Sequence, residues 1–321
     1  LNNVTFFTPV QEQILLVEKR MRAQGAECHP DLRAALEHLL AAGGKRIRPT
    51  IVLLVGNVLG SDAEALVTLG AAVELLHTAT LVHDDLIDGA LLRRGAETIN
   101  ARWSSAATVL TGDFLFARAA KLAAEIDHLP LMRLFAETLA IIVNGELTQL
   151  FSARGVINRD NYYQRIYAKT ASLFEMSTQS AAMVGTENKA LIESMRKFGY
   201  ELGMAFQIVD DLLDFTGEQA KVGKPLGSDL LQGLVTLPAI YYAESNPDHP
   251  DVRSLAAGGW GDHERMERLV QSIRTSDAIQ KAMREAEERV EKAIAYLAPF
   301  EVSEQRDALE NLARYVVDRR V

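Results

Sequence analysis

Leu75–Gly95 reads LLHTATLVHDDLIDGALLRRG, an apolar lead-in that runs straight into Asp84, Asp85 and Asp88 and then Arg93 and Arg94. Taken as a helix, the lead-in stacks Asp84 and Asp88 one turn apart on one face. Like charges at that spacing destabilise a helix, and the macrodipole disfavours acids at a helix C-terminus by roughly 0.3–1 kcal/mol each. A locally unfavourable choice of this kind marks a functional site. Mg²⁺, a hard ion that prefers carboxylate, water and phosphate oxygens, offsets the repulsion. The adjacent arginines suggest an anion held jointly by metal and guanidinium. A solvated acidic helix end would explain one such cluster. It does not explain a second: Asp210, Asp211 and Asp214 repeat the spacing in VDDLLDFTG, Val209–Gly217.

Working outward, apolar spacing is helical nearly throughout. Pro9 is expected to open a first helix closed by Gly25, Pro30 a second ending at Gly43-Gly44, and Pro49 a third ending at Gly60. Ser61-x-x-Glu64 has the form of a capping box for the helix that delivers the first aspartates. A short connector after Arg94 leads to a helix from Ser104-Ser105 through Leu122. Pro130 opens a long one, and Asn158 or Asp160 caps the next, which contains Tyr167, Lys169, Thr170 and Phe174. A helix from about Glu187 carries the second aspartates. Phe215–Asp229 reads as a mobile lid rich in Gly, Lys, Pro and Ser, after which helices resume over about 234–244 and 262–319. No strand pattern and no domain boundary stands out, so the expectation is all-α and a single domain over 1–321. Glu74–Asp88 and Glu201–Asp214 echo each other as two helix ends, which would let two carboxylate sets face each other across a cavity.

Composition narrows the function. Of 321 residues, 48% are hydrophobic and 24% charged, an ordinary globular balance. A net charge of -9 leaves no basic excess for a nucleic-acid backbone, so no nucleic-acid partner is expected. The one cysteine, Cys28, excludes an internal disulfide and a cysteine-based metal site. No run reaches the roughly 18–20 apolar residues of a membrane span, and LNNVTFFTPV lacks the features of a signal peptide. A cytoplasmic location without a transmembrane segment is therefore expected.

Six acids around one cavity would bind two or three Mg²⁺, with substrate phosphates completing the octahedra, so the expected ligand is a diphosphate. Gly43-Gly44-Lys45-Arg46-Ile47-Arg48-Pro49 puts three cations at a glycine-rich helix start suited to an anion. His77, near the acids, would line the cavity below them, while His83 reads as a satisfied core histidine.

GGKRIRP, HDDLID with LLRRG, GELTQL at Gly145–Leu150, YAKTASLF, GMAFQIVDDLLDFTG and VGKPLGSDL together resemble trans-isoprenyl diphosphate synthases (polyprenyl synthases) of the medium- or long-chain type. The resemblance covers about 43–238, in family order. It implies an all-α helical bundle around a deep central cavity, a homodimer, and head-to-tail condensation of isopentenyl diphosphate with an allylic diphosphate such as farnesyl diphosphate. By it, Asp84, Asp88 and Asp210 are the leading Mg²⁺ ligands, supported by Asp85, Asp211 and Asp214. Lys45, Arg48, His77 and Arg94 match the isopentenyl diphosphate site. Arg93, Lys169, Thr170, Gln207 and Lys224 match the allylic site, with the Thr170 hydroxyl and Gln207 carbonyl offering lone pairs to an allylic cation. One position departs from the pattern: Leu234, in SDLLQGLVTLP, stands where the family often has lysine. That leaves room for a partner-dependent or non-catalytic subunit of a heteromeric synthase. A class I terpene cyclase, the other rival, would not need GGKRIRP or a second D-D-x-x-D.

Product length follows from helix geometry. A turn rises 5.4 Å, roughly one isoprene unit. One turn before the acids stand Ala79 and Thr80, with Leu76 below them and no aromatic plug. A product longer than geranylgeranyl diphosphate is expected.

Overall fold

The computed structural model describes residues 5–26, 28–151, 154–217 and 226–319. They are helical apart from loops and one two-residue ladder, as the apolar periodicity implies. The chain forms two compact units. One comprises 5–137, Met176–Arg196 and Pro299–Leu309; the other comprises Thr138–Glu175, Lys197–Ala298 and 310–319.

The first unit is built on α4, Ala63–Ile87. It packs most extensively on α6 (Ser105–Glu125), then on α3 (Ile47–Val58) and α1 (Gln11–Ala23). Leu66, Leu69, Val73, Leu75, Leu76 and Ala79 are wholly buried, which fits a helix that is apolar all round. Gly112 of α6 exists for this contact: a Cβ there would lie 2.2 Å from His83 Nε2. His83 has a partner, its Nε2 3.2 Å from the Val109 carbonyl, but it is half-buried and not a core residue. α2 is Pro30–Ala41 and the short α5 is Ile99–Arg102.

The second unit holds most of α7 (Leu129–Phe151), then α8 (Arg159–Ile166), a π turn at Tyr167–Ala171, and the start of α9 (Ser172–Gly185). Most of α10 (Lys189–Thr216) follows, with α11 (Ser228–Leu231) and α12 (Leu237–Ser245). α13 (Pro250–Ala256), α14 (His263–Arg274), α15 (Ala278–Ala295) and the end of α16 (Glu304–Asp318) complete it. α12 packs on α15, and Phe174, Phe198 and Phe215 are fully buried.

Several expected boundaries move. Pro9 lies inside a 3₁₀ turn, Thr5–Val10, that precedes α1. α3 begins at Ile47, because Arg46 takes a left-handed turn (φ 47°) that lets the helix start before Pro49. Pro49 then sits in the first turn, where its missing N–H is not needed. Asp62, not Ser61, caps α4 by accepting from the Ala65 N–H at 2.8 Å. Ser61 is drawn back into the preceding turn, its N–H on the Gly56 carbonyl at 3.0 Å. Leu234 precedes α12, which starts at Leu237 with Pro238 in its first turn. The helical stretch expected over 262–319 divides into α14, α15 and α16.

The connector after Arg94 is a β-hairpin of β1, Leu92–Arg93, and β2, Ala96–Glu97. Its loop residues Arg94 (φ 54°) and Gly95 (φ 80°) both have positive φ, the requirement of a type I′ turn.

Two helices, α4 and α7, are long and apolar enough to cross a membrane, against the expectation of none. α4 is a core helix, with 72% of its apolar window buried; for α7 the figure is 17%. Val143, Leu147, Leu150 and Phe151 form an exposed stripe along α7.

Candidate active site

α4 ends on the first aspartates. Asp84 is half-buried, Asp85 buried, and Asp88 exposed as the helix cap, its N–H on the Asp84 carbonyl at 2.8 Å. The hairpin turns Arg93 back onto Asp85. The guanidinium forks onto that carboxylate, Nε at 2.8 Å and Nη2 at 2.7 Å from Oδ1, with Oδ2 at 3.0 Å from Nε. Arg94 reaches from the turn and donates to the Gly43 carbonyl at 2.6 Å. It ties the hairpin to the glycine-rich loop.

That loop is set by Arg46, one of its three cations. Its side chain is 10% exposed and lies between two carboxylates, Glu18 at 2.9 Å and Glu74 at 3.0 Å. The two partners over-determine the left-handed backbone. Lys45 and Arg48 flank it, exposed and half-buried. His77, one turn after Glu74 on α4, lies within the field of Arg48, Arg94, Arg93 and Arg46. Burial first and these four cations second push its pKa well below the usual imidazole value. The structure therefore gathers most of the expected isopentenyl diphosphate set, with His77 neutral at pH 7 inside a basic field suited to an anion.

The His77 shift has a testable sign. A histidine whose folded pKa lies below its unfolded value binds fewer protons folded than unfolded. Its contribution is therefore complete above about pH 6.5 and is lost as pH falls below it. Urea titrations between pH 7.5 and 5 should show stability falling with pH, and His77→Gln should remove part of that slope. An identical slope in the variant would show that His77 is not the group responsible.

Leu76 and Ala79 are wholly buried in the first unit, and Thr80 is half-buried, its hydroxyl donating to the His77 carbonyl at 2.8 Å.

In the second unit a chain of hydrogen bonds links the expected allylic residues. The Thr170 hydroxyl donates to Gln207 Oε1 at 2.5 Å; Gln207 Nε2 donates to Asp211 Oδ1 at 2.9 Å; the Tyr162 hydroxyl donates to Asp211 Oδ2 at 2.7 Å. With its proton fixed on Gln207, the Thr170 oxygen directs its lone pairs elsewhere. Asp211 is buried, and burial, with the Asp229 charge, pushes its carboxyl up to about 7. Lys169 and Thr170 sit in the π turn, an irregularity frequent at functional sites. Lys169 is exposed, 3.9 Å from Glu146. Gly145 lets α7 approach this turn, since a Cβ there would lie 2.4 Å from that of Ala168.

Asp214 receives the chain where it returns after 218–225. Its Oδ1 accepts from the Ser228 N–H and hydroxyl at 3.1 and 2.7 Å, and its Oδ2 from the Asp229 N–H at 3.2 Å. Lys224 and most of the expected lid lie outside the described residues. Leu234 is half-buried and lines a cleft with Gly145, Arg154, Tyr162 and Arg165.

The six carboxylates thus divide in a way the motif does not reveal. Asp85, Asp211 and Asp214 have both oxygens engaged by protein donors. Asp84, Asp88 and Asp210 complete the two sets, and Asp210 Oδ1 accepts from Arg319 Nη1 at 3.0 Å. Among the described residues no three His, Cys, Asp or Glu side chains are grouped to hold a metal unaided. A metal here would draw water or phosphate oxygens for its remaining positions.

Comparison with known proteins identifies the family. The chain matches the polyprenyl synthetase family over residues 29–273. It is 38% identical over 312 residues to heptaprenyl diphosphate synthase component 2 of Geobacillus stearothermophilus, covering 97% of each chain. It is 35% identical over 324 residues to a prenyl transferase of Synechocystis, covering 99% of each. A crystal structure of polyprenyl synthase from Caulobacter crescentus, complexed with calcium and isoprenyl diphosphate, superposes with a TM-score of 0.90 at 34% identity, covering 99% of this chain and 98% of that one. The chain belongs to the polyprenyl synthetase family.

Proposed function

We propose that this chain is a Mg²⁺-dependent prenyltransferase that joins isopentenyl diphosphate head to tail to an allylic diphosphate such as farnesyl diphosphate. Its product is an all-trans polyprenyl diphosphate longer than geranylgeranyl. The observation that carries the reading is the basic field around His77 on α4, the helix that ends on Asp84, Asp85 and Asp88. Two or three Mg²⁺, when bound, supply charge neutralisation for the departing diphosphate. Asp84, Asp88 and Asp210 would hold them. Lys45, Arg48 and Arg94 grip the diphosphate of isopentenyl diphosphate, with neutral His77 beside it. Lys169 and Lys224 take the allylic diphosphate as the C–O bond breaks, and Arg93 shifts between Asp85 and that anion. The Thr170 oxygen, its hydrogen bond to Gln207 fixed by Tyr162 and Asp211, faces the allylic cation. The isopentenyl double bond attacks that cation, and the proton then lost passes to the released diphosphate. The enzyme acts in the cytoplasm as a homodimer, for which the exposed stripe of α7 is a suitable surface.

A second reading has a specific support. The relative from Geobacillus is named component 2 of its synthase, and Leu234 removes a cation from the allylic side. On that reading the chain needs a partner subunit. The purified chain, given Mg²⁺, farnesyl diphosphate and isopentenyl diphosphate, separates the two: long-chain product supports the first, and no product from a folded, metal-competent chain supports the second. Chromatography of the dephosphorylated products reads chain length in the same experiment.

The product ruler is tested by Thr80→Tyr, which places an aromatic ring one turn before the acids. The product distribution should shift shorter by one or more isoprene units. An unchanged distribution would remove α4 from the path of the growing chain.

A further inference from the structure

Asp210 has a cationic partner that no motif announced. Arg319 lies just past the end of α16. Its Nη1 donates to Asp210 Oδ1 at 3.0 Å, and its Nη2 donates to the Phe206 carbonyl at 3.3 Å. Its guanidinium carbon lies 3.9 Å from the centroid of the Phe206 ring, within cation–π range. The Nε donates to the Val316 carbonyl at 3.3 Å, one of the last unsatisfied acceptors of α16. The side chain is 9% exposed, while that of Asp210 is 39% exposed. One guanidinium therefore caps its own helix, stacks on a ring of α10 and neutralises the carboxylate one turn further along α10.

This arrangement is more than packing. Phe206 and Asp210 stand at i and i+4, so the arginine grips a side chain and a backbone carbonyl of a single helical turn. It brings a fixed positive charge, since arginine stays protonated at any relevant pH. The carboxylate it holds belongs to the second aspartate set, whose other members, Asp211 and Asp214, are held by Tyr162, Gln207, Ser228 and Asp229.

We propose that Arg319 is a resident counter-cation of Asp210, and that a divalent metal binds there in competition with it. The proposal rests on the reading of Asp210 as a metal ligand. Without metal, the guanidinium neutralises the Asp210 carboxylate. When the dication arrives it takes over that neutralisation. The guanidinium loses its charge-assisted bond, and its hold on the end of α16 is left to the Val316 and Phe206 contacts. Metal occupancy at Asp210 is thereby coupled to the end of the last helix.

The test uses Mn²⁺ alone, with bound ion counted by loss of the free-ion electron paramagnetic resonance signal. Arg319→Gln, which keeps hydrogen-bonding capacity and removes the charge, should bind Mn²⁺ about tenfold more tightly, the equivalent of one charge-assisted hydrogen bond. Arg319→Lys keeps the charge and should retain the weaker affinity. It serves as the folded control if the glutamine variant is unstable, and the full tightening in Arg319→Lys would overturn the proposal. In the Asp210→Asn background, Arg319→Gln should change Mn²⁺ binding not at all. Unchanged or weaker Mn²⁺ binding by Arg319→Gln, with Asp210→Asn still weakening the wild-type chain, overturns the proposal and leaves the metal reading standing. Asp210→Asn without effect on Mn²⁺ overturns both.

Discussion

Asp84→Ala should lower turnover by about a thousandfold, with the fold retained. Removing one electrostatic element aimed at a developing charge costs enzymes roughly 10²–10³ in rate, and a metal ligand serves both metal and leaving group. Local physics adds the second half of the expectation. Asp84 sits one turn from Asp88 at the C-terminal end of α4, where a negative charge opposes the macrodipole. Deleting it should therefore leave thermal stability unchanged or slightly raised. Asp85→Asn is the contrasting variant. It breaks the fork with Arg93 and loosens the hairpin, so its effect should appear in the melting temperature as well as in activity. Near-normal turnover in Asp84→Ala would sink the metal assignment. A loss of stability matching that of Asp85→Asn would mean that the two carboxylates share one structural role.

The second large effect is on stability. Arg46→Ala should lower the melting temperature by on the order of 10 °C, from the roughly 3–5 kcal/mol cost of leaving one member of a buried ion pair unpaired. Here the stranded group is Glu74, 5% exposed in the middle of α4. Glu18, on the surface side, contributes less, because solvent screens it. The alanine variant also keeps the cost of a left-handed backbone without the contacts that over-determine it. Arg46→Gly removes the same side chain but accepts that backbone freely, and it should recover part of the loss. Equal melting temperatures for the alanine and glycine variants would show that the φ of 47° carries no strain. Wild-type stability in either would show that Glu74 is adequately solvated without its partner.

The helices and both aspartate sets were legible in the sequence for a definite reason. Apolar residues at helical spacing and repeated acids are local patterns, and the fold preserves them. What failed to show depends on contacts between distant segments. The split of each aspartate set needs Arg93 to turn back through a hairpin and Tyr162 to arrive from α8. The positive-φ pair Arg94-Gly95 was a usable signal for that hairpin, because glycine at the second loop position is what a type I′ turn requires. Arg46 offered no such signal, since arginine is not a residue expected in the left-handed region. The cap of α4 was misplaced by one residue because Ser61 and Asp62 are both good caps, and only the backbone path after Gly60 chooses between them. The π turn around Lys169 has no marker in the sequence beyond Gly145, twenty-odd residues away.

The division of labour within D-D-x-x-D bears on how such a motif drifts over generations. A pattern match weighs its three letters alike, yet here they answer to different pressures. The middle aspartates, Asp85 and Asp211, are held by neighbours that can change with them, such as Arg93 or Tyr162. On the proposed reading, the first aspartates, Asp84 and Asp210, answer to an ion and a substrate that do not mutate. Among diverging copies of this chain, variation at 85 and 211 should therefore come paired with variation at 93 and 162, while 84 and 210 stay put as long as the chemistry does.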